Sequence, residues 1–183
     1  MVSLLVVFYI FVFIFGIIGA SRGWAKDALV IFSVILALAL IAVVEELLPF
    51  TRNLLADAAP KDLFWFHWVI LGLMLFFGYQ TPRIKRFSEA TKRAEEIREL
   101  MLGFFVGAIT GFMVVGSLWY YMDRAGYPFA PYITSPLTDV VTDTGDAAVR
   151  LLKWVPPALW LGRYPGVIVS VVVAFIFVII VFL

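Results

Sequence analysis

Cysteine is absent from this 183-residue chain. That removes disulfides, thiolate metal sites, iron–sulfur clusters and thiol catalysis from consideration. Histidine occurs once, at His67, which excludes any site built from several imidazoles. Charge is scarce: Asp, Glu, Lys and Arg make up 15% of the residues and the net charge is +1. With no basic excess, nothing electrostatic points to nucleic acid as a partner. There is no glycine-rich phosphate loop, no Ser beside the His, and no pair of acids within one apolar stretch. No catalytic constellation is legible, so no enzymatic activity, cofactor or small-molecule substrate is expected.

What the chain has in abundance is apolar surface. Hydrophobic residues are 63% of the total and mean hydropathy is +1.02, whereas a soluble domain stays nearer about half apolar. One small core cannot hide that much, so lipid must solvate the remainder. Five apolar stretches stand out: Val2–Ala20, Ala28–Val44, Leu63–Tyr79, Leu100–Met122 and Gly166–Leu183. A helix needs roughly 17–25 residues to cross a hydrocarbon core, and all five reach that length. The pattern predicts an all-α integral membrane protein with five transmembrane helices, the partner of first resort being the bilayer itself.

Loop charges give an orientation. Arg22 and Lys26 follow the first stretch, and nothing basic precedes it, so it does not read as a cleaved signal peptide. Arg83, Lys85, Arg86, Lys92, Arg93 and Arg98 lie between the third and fourth. By the positive-inside rule both loops are cytoplasmic, which puts the N-terminus outside and the C-terminus inside. The loop after the second stretch balances Arg52 and Lys61 against Glu45, Glu46, Asp57 and Asp62 and is external.

Two connecting segments carry helical periodicity. In Arg83–Glu99 the apolar positions Ile84, Phe87, Ala90, Ala94, Ile97 and, just beyond, Met101 recur at helical spacing, and Glu89 precedes Arg93 by four. This reads either as a cytoplasmic extension of the fourth span or as a solvated linker. In Pro136–Val155, Ser135 is an N-cap candidate, and Leu137, Val140, Val141, Thr144, Ala148, Leu151, Leu152 and Val155 form one face. With Trp154 and Trp160 around Pro156-Pro157, it predicts an amphipathic helix on the outer membrane surface, with Gly145 as its weak point.

Small residues recur at the spacing that lets helices approach closely. Gly103, Gly107 and Gly111 stand four apart, as do Gly16 and Ala20, Gly19 and Gly23, and, in the last stretch, Gly166, Ser170 and Ala174. The expected use is a seam between the fourth span and the first, meeting Gly16 and Ala20; the alternative is contact with another subunit. Val114, one turn beyond, is expected to lie outside the seam and to tolerate Ile.

Polar groups inside the stretches are few: Tyr9, Ser33, His67, Thr110 and Ser117. No Asp, Glu, Lys or Arg falls inside any of the five stretches, which argues against a proton pump or a carboxylate-coupled transporter. Glu45 and Glu46 read as a membrane boundary. His67, in Phe-Trp-Phe-His-Trp, has neighbours that would suit a tetrapyrrole. It lies only a turn into its helix and lacks a second ligand, so it reads as an interfacial hydrogen bonder that water reaches.

The first hairpin, GIIGASRGWAKDALVIFSVILALALIA, resembles the colicin V production protein (CvpA) family of bacterial inner-membrane proteins. The resemblance rests on an Arg-Gly-aromatic turn and a basic-acidic pair, here Arg22, Gly23, Trp24, Lys26 and Asp27. It returns in LMLGFFVGAITGFMVVGSLWYYMD, similar to the family's glycine-rich final span. It implies a four-helix membrane domain over residues 1–125, followed by an external loop with an amphipathic helix over 126–164; the terminal helix over 165–183 is an addition that departs from the family pattern. The resemblance also implies a non-enzymatic role in envelope export and homeostasis. The added helix suits the alternative of an accessory subunit in a larger respiratory, photosynthetic or ATP-synthesising membrane complex.

Overall fold

The computed structural model describes residues 3–47, 58–80, 93–130, 132–133, 135–136, 143–161 and 166–182. Among them are six α-helices and no strand: α1 (Leu4–Arg22), α2 (Trp24–Leu47), α3 (Pro60–Tyr79), α4 (Arg93–Arg124), α5 (Asp143–Leu152) and α6 (Gly166–Phe182), with a π-helical turn at Pro157–Leu161. Four of them, α1 to α4, are long and apolar enough to cross a membrane. The terminal α6 is uncharged but 17 residues long, at the lower limit of about 17–25 for a span.

Helix boundaries follow local chemistry. Helix α3 opens on Pro60, which needs no N–H partner at a first turn. Helices α1 and α2 meet at a single residue, Gly23, whose φ of 89° and ψ of 145° lie where only glycine is at ease. Its N–H still closes the last turn of α1 on the Gly19 carbonyl at 2.9 Å. Helix α4 ends on Gly126, at φ 70°, and Tyr127, at φ 54°. The Tyr127 N–H donates to the Met122 carbonyl at 3.0 Å, wrapping the helix end.

Helix α1 lies along α4, while α2 is central and touches α3, α4 and α6. Val30, Val34, Ala37, Leu38 and Ile41 of α2 are fully or almost fully buried. Leu71, Val114 and Tyr121 close the same core from α3 and α4. The outer faces of α1 and α6 carry large exposed apolar side chains, Phe13 and Ile17 on one, Val173 and Phe175 on the other. In a soluble protein such faces would be a liability; against acyl chains they cost nothing.

Three expectations need correction. The uncharged run Ala28–Val44 is not the whole of α2, which continues through Asp27 and Glu45 at its two ends. Backbone hydrogen bonding carries a helix through charged residues without a break, so both acids belong to the bundle. Val114 does not lie outside the packing. It is 3% exposed and sits in the core, so an added methylene there must displace neighbours. The amphipathic helix predicted over Pro136–Val155 is described as Asp143–Leu152; Leu137, Val140 and Val141 lie outside the described residues. Its face packs on the ends of α1 and α4, with Ala148 buried against Phe8, Trp119 and Tyr127. The Glu89–Arg93 pair also lies outside the described residues.

Candidate functional site

Glycine at four-residue spacing drifts only about 40° per step around a helix, so Gly103, Gly107 and Gly111 make one smooth stripe on α4. That stripe meets α1. A Cβ built on Gly103 would stand 2.6 Å from the Gly19 carbonyl oxygen and 3.1 Å from Ala20 Cα. One built on Gly19 would run into the Gly103 carbonyl oxygen and stand 2.6 Å from Gly107 Cα. Gly111 lies against Val12 and Phe15, and Gly16 against the Phe104 ring. The closest approach of the two backbones is therefore centred on Gly19 rather than on Gly16 and Ala20. On α6, Ser170 is buried within the chain and donates to the Gly166 carbonyl at 2.9 Å. The side chain of Ala174 lies outside the described residues.

A carboxylate is built into this seam. Asp27, on the first turn of α2, is 0% exposed. Its Oδ1 accepts from the Arg22 guanidinium at 3.0 Å across the Gly23 turn. Its Oδ2 has no hydrogen-bond partner. The same oxygen would lie 2.6 Å from a Cβ on Gly19 and 3.0 Å from one on Gly107. The glycines thus vacate the space the carboxylate fills, and only their weakly polar Cα–H groups face it. Arg22 also lies over the Tyr79 ring of α3, 4.2 Å from its centroid. One guanidinium ties together α1, α2 and α3. Lys26 takes no part in this cluster.

A second polar junction stands at the other end of α2. Glu45 Oε1 is 2.7 Å from His67 Nε2 on α3, and Glu45 Oε2 accepts from Arg124 on α4 at 2.9 Å. His67 Nδ1 lies 2.7 Å from the Leu63 carbonyl oxygen. Its ring stacks on Tyr121 with centroids 4.2 Å apart and planes 8° from parallel. His67 is 0% exposed, so water does not reach it as its shallow position in the sequence suggested. Held on both nitrogens, the imidazole has no free lone pair for a haem or chlorophyll metal. Among the described residues no three His, Asp or Glu side chains converge as a metal cage would require.

Three further polar groups within the helices are locally satisfied. Ser33, Thr110 and Ser117 each donate to the carbonyl four residues earlier. Trp119 donates to the Tyr127 hydroxyl at 3.1 Å, and burial pushes the Tyr127 phenol above its ordinary pKa. A crevice of about 160 Å³ opens between α1, α3 and α4, lined by Phe8, Phe11, Phe64, Trp68 and Trp119. Its walls are apolar, and a lipid tail is the kind of molecule it could admit.

Sequence reasoning placed the glycine stripe and the Arg22–Asp27 turn, and missed the Glu45–His67–Arg124 junction. Glu45 and His67 are 22 residues apart on either side of a loop, and no periodicity sets the register of two helices joined that way. Compared with family models, curated proteins and solved structures, the chain matches none.

Proposed function

We propose that this chain is a non-enzymatic multi-pass protein of the bacterial inner membrane, of the CvpA type, supporting export and envelope homeostasis. The observation that supports this reading is the hairpin turn. Three of the five residues that carry the family resemblance bind the bundle together, Arg22 and Asp27 by an ion pair and Gly23 by its backbone. On this reading α1, α2, α3, α4 and α6 are the five spans, and α5 lies on the outer surface. The N-terminus is outside and the C-terminus inside, as the loop charges require.

Orientation has a direct test. Cysteine introduced at Tyr132, which is exposed, should react with an impermeant thiol reagent added to intact cells. Cysteine introduced at Thr91 should react only after the membrane is opened. The reverse pattern would invert the topology.

The functional reading is tested by expressing the chain in a bacterium deprived of its own family member. Restored tolerance to detergent stress is the expected result, and Arg22→Met should abolish it. A chain that accumulates in the membrane and restores nothing would defeat the proposal. A second reading, an accessory subunit of a larger assembly, is favoured by α6. That helix buries Ser170 inward and leaves Ile168, Val169, Val172, Val173, Phe175 and Ile176 outward. Under it, native purification should bring down the same membrane partners in fixed ratio, and deleting Gly166–Leu183 should release them.

A further inference from the structure

The chain's one histidine sits between two hydrogen-bond acceptors. The Leu63 carbonyl oxygen can only accept, so His67 Nδ1 must carry a proton to bond it at 2.7 Å. The Glu45 carboxylate at Nε2, also 2.7 Å away, likewise accepts when ionised. A neutral imidazole has one N–H and cannot satisfy both. Two arrangements meet the geometry: an imidazolium facing a carboxylate, or a neutral imidazole whose Nε2 accepts from a protonated Glu45. In either, Glu45 and His67 hold one proton between them.

The surroundings choose between the two. Glu45 Oε2 receives the Arg124 guanidinium at 2.9 Å, and a cation on one carboxylate oxygen favours the ionised acid. The stacked Tyr121 ring presents its π face to the imidazole, an arrangement that favours a cation. No other acid faces the pair among the described side chains. Glu45 comes from α2, His67 from α3, and Tyr120, Tyr121 and Arg124 from α4. Arg124 is about half-exposed while Glu45 is mostly covered and His67 wholly so. The route for a proton to and from water runs past Arg124 and Glu45.

We propose that Glu45, His67 and Arg124 form a proton-binding site, occupied in the closed bundle, in which the bound proton makes His67 an imidazolium and fastens α3 to α2 and α4. When that proton leaves Nε2 for water, the ring keeps a single N–H. It must then abandon either Leu63 or Glu45, because two lone pairs cannot face each other at that separation. Helix α3 packs along α2 and meets α4 only sparingly, so losing this tie frees its outer end.

A single histidine makes the test direct, because ring-¹⁵N-labelled histidine reports on this site alone. In the full chain in lipid nanodiscs at neutral pH, both ring nitrogens should resonate as protonated. On raising the pH, one should move to the unprotonated position, and the thermal midpoint should fall over the same interval. In Glu45→Gln, which keeps the size of the side chain and removes its charge, one nitrogen should already be unprotonated at neutral pH. The proposal is overturned by an unprotonated nitrogen in the parent chain at neutral pH. It is equally overturned if Glu45→Gln leaves both nitrogens protonated, or if the nitrogen titrates with no change in thermal midpoint. Should Glu45→Gln fail to accumulate, the parent's nitrogen shifts and melting curve decide the matter without it.

Discussion

Gly107→Ala should destabilise the bundle, although alanine is the better helix former. In a helix interior the substitution is favourable by about 1 kcal/mol on backbone grounds alone. Here the new methyl would collide with the Phe15 carbonyl oxygen and stand 2.8 Å from Gly19 Cα and 3.0 Å from Asp27 Oδ2. Two of those three are backbone atoms of α1, which cannot rotate away, and the third is a carboxylate held by Arg22. Overpacking of this kind costs about 1–3 kcal/mol, which outweighs the propensity gain, and Gly107→Ile should cost more. In lipid the seam depends on close dispersion contact rather than on a hydrophobic drive, so a small separation is expensive. Gly72→Ala is the matched control, because nothing lies within 4 Å of a Cβ there. Thermal unfolding in detergent should move in opposite directions for the two variants. A Gly107→Ala protein as stable as the parent would mean that α1 and α4 are not in contact at this point.

Arg22→Met should be among the most damaging single changes outside the seam. It strands Asp27 as a carboxylate with 0% exposure and no hydrogen-bond partner on either oxygen. Removing one member of a buried ion pair costs about 3–5 kcal/mol, most of it the cost of the charge left behind. Asp27→Asn should cost less, for an asymmetric reason. Arg22 is 21% exposed and keeps the Tyr79 ring, so its guanidinium can extend to the interface. The double variant should lose less than the sum of the two singles, which is the signature of direct coupling. Denaturant or thermal unfolding of all four proteins gives the cycle. Equal losses from the two single changes would show that water reaches Asp27 after all.

How much of this was legible beforehand varies by residue, for physical reasons. Gly103, Gly107 and Gly111 are readable because a four-residue spacing and a 3.6-residue turn force them onto one stripe whatever surrounds them. The matching glycine on α1 was harder. Gly16 and Ala20 share the spacing with Gly19 and Gly23, and only the rotation of α1 about its axis decides that Gly19 faces the seam. Glu45 was set aside with Glu46 as a boundary marker because charge counting ends a span at the first acid, whereas α2 runs on through Glu45. His67 looked solitary because its partner arrives from the preceding helix across a loop whose geometry no local pattern dictates. Val114 was misplaced for a related reason. Being off the glycine stripe says nothing about the opposite flank of α4, which faces α2 and the core.

On the proposed five-span topology, the separation along the chain between the two halves of the seam bears on how the protein enters its membrane. Gly103 follows Gly19 by 84 residues, so α1 is synthesised and inserted well before α4 exists to cover it. Throughout that interval the glycine face of α1 looks onto lipid, and the vacant oxygen of Asp27 has no cradle. Arg22, five residues away across the turn, is the one partner available from the outset. The ion pair is thus an early event in biogenesis and the seam a late one. The pair neutralises the hairpin for its wait in the bilayer, and the arrival of α4 encloses a charge that has already been answered.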